Sequence, residues 1–90
     1  MRKRDRLGVI YDILKIIRER NNSIKPTPLL RYSNLSSNSF AEYYNELTSK
    51  QFVKEVIDKQ GKKYITLTDK GFKYLEKYDL ILGFINEFEL

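Results

Sequence analysis

The chain has seventeen Lys and Arg, twelve Asp and Glu and seven Tyr, with no His and no Cys. Without His or Cys there is no common nucleophile–base pair and no zinc-ligand set, and no glycine-rich phosphate loop appears. Glu42 and Glu46, one helical turn apart, could in principle hold a hard cation, but two carboxylates without further oxygen ligands usually form a solvated face. Tyr43 and Tyr64 are the tyrosines placed to stack on an unpaired base. The expectation is therefore a protein without catalysis, metal or cofactor. The chemistry left to it is binding, and cations are what it has in excess.

The net charge of +5 is uneven. Residues 1–70 carry fifteen Lys and Arg against eight Asp and Glu, a surplus of seven, whereas residues 71–90 carry two against four. Lys and Arg placed near phosphates release condensed counterions, so the surplus fits a polyanion. Solubility alone is the competing explanation. The cations cluster in an arm of Arg2, Lys3, Arg4 and Arg6, at Lys25 and Arg31, and around Lys59, Lys62 and Lys63.

Size limits what can position these groups. Ninety residues make one domain, and a chain this short buries only about 60–70% of its unfolded surface, so a thin core completed by a second copy is plausible. No apolar run approaches the roughly 18 residues of a membrane span. The charged opening lacks the apolar stretch of a signal peptide, so a cytoplasmic, nucleoid-associated protein is expected.

Leu7, Ile10, Ile13, Leu14 and Ile17 recur at three- and four-residue steps and place one apolar stripe on a helix over residues 5–20. Val9, Ile16 and Tyr11 widen the apolar surface beyond one small core, so a second packing partner is expected. Asn21, Asn22 and Ser23 end the helix, and the next residues have room for a short strand or an extended link. Pro28 suits a first helical position, with Thr27 as cap, giving a second helix over residues 28–33 with Leu29 and Leu30 inward and Arg31 outward. After a turn containing Leu35, a third helix capped by Ser36 or Ser37 runs to about residue 49 and turns Phe40, Tyr44 and Leu47 inward. Its opposite face holds Ser37, Asn38, Glu42 and Asn45, with Tyr43 at the margin.

Residues 52–58 and 63–67 are rich in β-branched and aromatic side chains and flank Lys59-Gln60-Gly61-Lys62, where Gly61 permits the positive φ of a hairpin loop. Thr68 then caps, and Asp69 favours, the start of a helix reaching about residue 88. On it Phe72, Leu75, Tyr78, Leu82, Ile85 and Phe88 nearly repeat as a heptad seam, broadened by Leu80, Ile81 and Phe84. Such a helix requires a partner, either the spare surface of the first helix or the same helix of a second copy. Gly83 in the seam is either a close crossing point or an early helix end with Ile85 and Phe88 folding back.

Helix, tight turn, helix, hairpin, helix is the plan of a winged helix-turn-helix: an α+β, mainly α fold with a two-stranded wing and a long C-terminal helix. In a helix-turn-helix the second helix enters the major groove. Ser36, Ser37 and Asn38 are then expected near base edges, Asn suiting adenine. Glu42 is repelled by phosphates unless it accepts from a cytosine amine or pairs with a neighbouring cation. Lys59, Gln60, Lys62 and Lys63 on the wing, with Lys25, Arg31 and the arm, are expected on phosphates.

Thr27-x-Leu29-Leu30, Ser33-Asn34-Leu35-Ser36, Tyr43-Tyr44-x-x-Leu47, Phe52-Val53 and Tyr64-x-Thr66-Leu67-Thr68-Asp69-Lys70-Gly71 together resemble the small archaeal winged-helix DNA-binding proteins. The strongest marker is Leu67-Thr68-Asp69-Lys70-Gly71, close to the family's Leu-Thr-Glu-Lys-Gly. An added proline at Pro26, and Tyr44 and Phe52 where leucines are usual, depart from the pattern and alter core volume. Members of that family dimerise through a C-terminal helix that forms an antiparallel coiled coil, so the resemblance implies a DNA-binding homodimer.

Residues 1–70 are thus read as the DNA-binding part and residues 71–90 as a dimerisation helix, within one structural unit. Val9, Ile16, Leu75, Tyr78, Ile81, Leu82, Ile85 and Phe88 are the expected dimer contacts. The expected partner is double-stranded DNA, bound in transcriptional regulation or chromatin-like packaging, with recognition helices about 34 Å apart, or a multiple of that, if they share one face of the duplex. No membrane association is expected. The competing reading is a protein-interaction module on the same fold, which acidic Glu42 and Glu46 favour and the basic surplus opposes.

Overall fold

The computed structural model describes residues 5–90. Four helices and a hairpin follow one another as α1 (Arg6–Glu19), α2 (Pro26–Ser33), α3 (Ser37–Ser49), β1 (Val53–Ile57), β2 (Lys63–Leu67) and α4 (Asp69–Glu87). This is the winged-helix arrangement expected from the sequence.

Each boundary has a local cause. The Asp5 carboxylate accepts from the Gly8 N–H at 2.7 Å and starts α1. At the other end Asn21 and Asn22 adopt positive φ, which Asn tolerates, and Asn22 Oδ1 accepts from the Leu67 N–H at 2.7 Å. That bond ties the end of α1 to the wing. Ile24 forms an antiparallel bridge to Ile65, so the short link adds one rung to the sheet.

α2 begins two residues earlier than the sequence suggests, and Thr27 does not cap it. Lys25 is the N-cap, without a side-chain bond, and Pro26 and Pro28 both fall in the first turn. The N–H groups there have no acceptor in any helix, so two prolines cost nothing while their fixed φ starts the helix. Asn34 closes α2 in the left-handed conformation (φ 61°, ψ 32°), and Ser36 Oγ accepts from the Ser39 N–H at 3.2 Å to start α3. Asn34, Leu35 and Ser36 make the turn between the two helices.

The core joins Ile13, Leu14 and Ile17 of α1 to Leu29, Leu47, Ile65 and Leu75, all essentially without exposure. One assignment to this core changes. Leu7, expected on its stripe, is 51% exposed: it lies in the first turn of α1 and lines an open groove with Phe52, Tyr74 and Ile81 instead of entering the core. The wider surface of α1 does find a second partner, the protomer's own α4: Tyr11 stacks on Tyr78 with ring centroids 4.4 Å apart, and Val9 is buried.

The junction Leu67-Thr68-Asp69-Lys70-Gly71 packs α4 against the wing. Thr68 Oγ1 accepts from the Gly71 N–H at 3.2 Å and donates to the Gln51 carbonyl at 2.5 Å. Lys70 Nζ donates to the Lys50 carbonyl at 2.8 Å and lies over the Phe52 ring. A Cβ on Gly71 would sit 2.3 Å from the Phe52 carbonyl oxygen, so only glycine allows this approach. α4 then continues unbroken through Gly83 and does not fold back, and the molecule measures 49 × 27 × 21 Å.

Candidate nucleic-acid interface

α3 packs Phe40 and Leu47 inward and presents Ser37, Asn38, Ala41, Glu42 and Asn45 to solvent. Tyr43, expected at the margin, is half-buried against the core. Ser36 is exposed, but its hydroxyl oxygen is engaged in capping the helix. The solvent face therefore consists of short hydrogen-bonding side chains, one methyl and one carboxylate. Neither Lys nor Arg occurs anywhere in α3.

Glu46 and Glu42 behave differently despite their spacing. Glu46 forms ion pairs with Arg6 and with Lys50, the latter at 3.0 Å. Glu42 is exposed and forms no ion pair with any described residue. Arg6, expected on phosphate, is thus engaged by a carboxylate forty residues away. Among the described residues no cluster of three or more His, Cys, Asp or Glu is placed to hold a metal ion.

The wing is an antiparallel pair with Val53 opposite Leu67 and Ile57 opposite Lys63. Asp58 orders its tip: one carboxylate oxygen accepts from the N–H groups of Gln60 and Lys62, both at 2.8 Å, and Gly61 takes φ 81°. Lys59, Gln60 and Lys62 project from this tied loop into solvent, and neither lysine pairs with a described carboxylate. Lys63 pairs with Glu55 at 3.6 Å. Glu55 also accepts from the Tyr44 hydroxyl at 2.5 Å, so a chain of side chains fastens α3 to the wing. The Tyr44 bond holds the Glu55 carboxyl below its usual range; burial opposes it, and Lys63 adds a lesser lowering effect. Burial, and then Glu55, push the Tyr44 phenol well above its ordinary value.

The remaining expected contacts flank these two elements. Lys25 lies 5.9 Å from the Tyr64 ring centroid. Arg31 and Arg20 share the half-exposed Tyr32 ring at 5.6 and 4.3 Å. Arg2, Lys3 and Arg4 lie outside the described residues. Lys54, which sequence reasoning did not single out, is exposed on β1 and lines an open groove of about 870 Å³ with Asn45, Thr48 and Lys70, between α3 and the wing. Strand alternation beside buried Val53 was the signal available for it.

The expected dimer contacts divide into two groups. Val9 and Leu75, 5% and 0% exposed, lie inside the protomer's own core and offer a partner no surface. Ile16, Tyr78 and Leu82 are partly buried against that core, and Ile85 is half-buried. Ile81 and Phe88 are more than half exposed, as are Leu80, Phe84 and Leu90, none of which was assigned to the interface.

A helix-turn-helix whose second helix exposes a polar face, followed by a hairpin locked to that helix, defines the winged helix-turn-helix class. A family model described as winged helix-turn-helix matches residues 3–84, and the chain belongs to that family. An uncharacterized protein of Methanocaldococcus jannaschii is 31% identical over 83 residues, which are 92% of this chain. The chain spans only 36% of the length of that relative. Among solved structures, F93 from STIV, a winged-helix DNA-binding protein, superposes with a TM-score of 0.73 at 21% identity, covering 89% of this chain and 91% of that one. Sso10a-2, a DNA-binding protein from Sulfolobus solfataricus, gives 0.74 at 14% identity over 96% and 86% of the two chains. MepR, a transcription regulator of the Staphylococcus aureus multidrug efflux pump MepA, gives 0.77 at 16% over 89% and 60%. At these identities the likeness is one of fold.

Proposed function

We propose that this protein binds double-stranded DNA as a homodimer, acting as a transcriptional regulator or an architectural protein. Residues 1–70 form the DNA-binding part and residues 71–90 the dimerisation helix. α3 enters the major groove, and the wing tip with Lys25 and Arg31 holds phosphates beside it. The observation that carries the reading is the pairing of an exposed hydrogen-bonding face on α3 with a wing locked to it through Tyr44 and Glu55, whose tip lysines form no ion pair with a described residue. The DNA-binding and transcription-regulating proteins that share the fold support it. No helix among the described residues is long and apolar enough to cross a membrane. The dimer rests on the exposed apolar face of the last turns of α4.

One observation favours the protein-interaction alternative, namely the absence of any cation on α3. Fluorescence anisotropy of random-sequence duplex DNA, between about 50 and 200 mM salt, separates the two readings, because binding through several phosphates weakens by orders of magnitude over that range. Steep weakening with salt is expected for the native protein. Lys59→Glu with Lys62→Glu should weaken binding to every sequence and reduce the salt slope by about one for each phosphate that is no longer held. No binding at the lowest salt favours the interaction module.

A further inference from the structure

Along the solvent side of α3, Asn38, Ala41, Glu42 and Asn45 form one row at helical steps, and all four are exposed. The row contains no cation, although the chain as a whole carries a net charge of +5. The cations lie around it instead: Arg6 and Lys50 on Glu46, Lys54 on β1, Lys59 and Lys62 at the wing tip. A helix built to grip phosphates would carry those charges itself. This one carries the side chains that discriminate base edges: amides that pair with adenine and a methyl that meets the thymine methyl.

Glu42 decides what the row selects. Its neighbour Glu46 is neutralised by two cations, whereas Glu42 faces solvent without an ion-pair partner among the described residues. Between two rows of phosphates such a carboxylate repels DNA unless a base donates to it. Guanine presents only acceptors in the major groove, thymine presents an acceptor, and adenine sets its donor beside the acceptor N7; cytosine alone offers its N4 donor with no acceptor on the same base edge. We propose that Glu42 is a specificity-determining residue that confines tight binding to sites with a cytosine under the middle of α3. The protein is then a sequence-selective reader, with affinity supplied by the wing and flanking cations and penalised by Glu42 at every other site. This inference rests on the DNA-binding reading above.

Selection from a random duplex library with the native protein, Glu42→Gln and Glu42→Ala tests it, alongside affinity for random-sequence duplex at fixed salt. Glu42 is exposed on a capped helix, and circular dichroism verifies that both variants fold. The native protein should enrich sites with one cytosine position in each half-site, with discrimination there of about 10- to 100-fold. Glu42→Ala should lose that preference, Glu42→Gln should move it toward adenine, and both should bind random duplex more tightly than the native protein. Native-protein sites lacking a cytosine position, or variants that enrich the same cytosine, overturn the role of Glu42 while leaving DNA binding intact. Failure of all three proteins to retain any duplex overturns the DNA-binding reading and this inference with it.

Discussion

The two halves of α4 share one unbroken helix, and the second is the more apolar in sequence, yet it is the first that finds a surface to pack on. In the first half Leu75 is fully buried, Tyr74 meets Phe52 edge-on with centroids 5.4 Å apart, and Tyr78 stacks on Tyr11. Asp79 completes the attachment by accepting from the Tyr11 hydroxyl at 2.5 Å and pairing with Arg18 at 3.2 Å. One residue later the attachment weakens: Leu80, Ile81, Phe84 and Phe88 are all more than half exposed, and the Phe84 and Phe88 rings touch each other. Apolar character alone therefore does not make a core. It needs an opposing surface, which Gly71 provides for the first half by letting the helix approach Phe52. A contiguous apolar face without such a surface marks an interaction site, and this supports assigning the second half to a partner copy.

The largest expected effect lies in the anchored half. Leu75→Ala removes a side chain with no exposure from the point where α4 meets the rest of the core, so it should cost about 2–5 kcal/mol of unfolding free energy in urea titrations. The loss should be the same at every protein concentration, because Leu75 belongs to the protomer. A cost below about 1 kcal/mol would show that the first half of α4 is not held by packing.

The exposed half should respond in the opposite manner. Ile81→Glu combined with Phe84→Glu places charge on side chains that touch little within the protomer, so the helical spectrum of the head should remain while the mass in sedimentation equilibrium falls from dimer to monomer. An unchanged mass would move the interface elsewhere or remove it. Truncation after Leu80 provides a second variant, with the same expectation.

The contrast between the halves was only partly legible in the sequence. The helix starts and turns were readable because the residues that make them act locally: Thr68 caps its own helix, and Gly61 and Asn34 stand where their own backbones take positive φ. The wing and all four helices follow from such short-range rules. What escaped depends on distant residues. The seam pattern gave Leu75 and Phe88 equal standing, since periodicity shows that a face is apolar and not what covers it. Leu7 shares the stripe of Ile10 and Leu14 yet lies beyond the reach of the core, and Val9 leaves the stripe yet is covered by the protomer itself. At the interface the same limit applies. The polar face of α3 could be read from spacing, but the Arg6–Glu46 pair, which leaves Glu42 without an ion-pair partner among the described residues, joins residues forty positions apart.

The smallest expected effect tests the charge that marks the end of the anchored half. The Tyr11 hydroxyl, and after it Arg18, hold the Asp79 carboxyl below its usual range, while partial burial opposes them. A carboxyl whose folded pKa is depressed adds stability above its unfolded value, about 3.9 for Asp, and loses it as pH falls through the folded value. Asp79→Asn keeps an acceptor for Tyr11 and removes the charge. The native protein should therefore melt above the variant at pH 6, and the gap should close as pH falls from about 5 to below 3. Because the Asp79 side chain remains 44% exposed, water screens the interaction and the gap should be modest. A gap that persists unchanged at low pH would mean that shape and hydrogen bonding, rather than charge, hold α4 to α1 at this point.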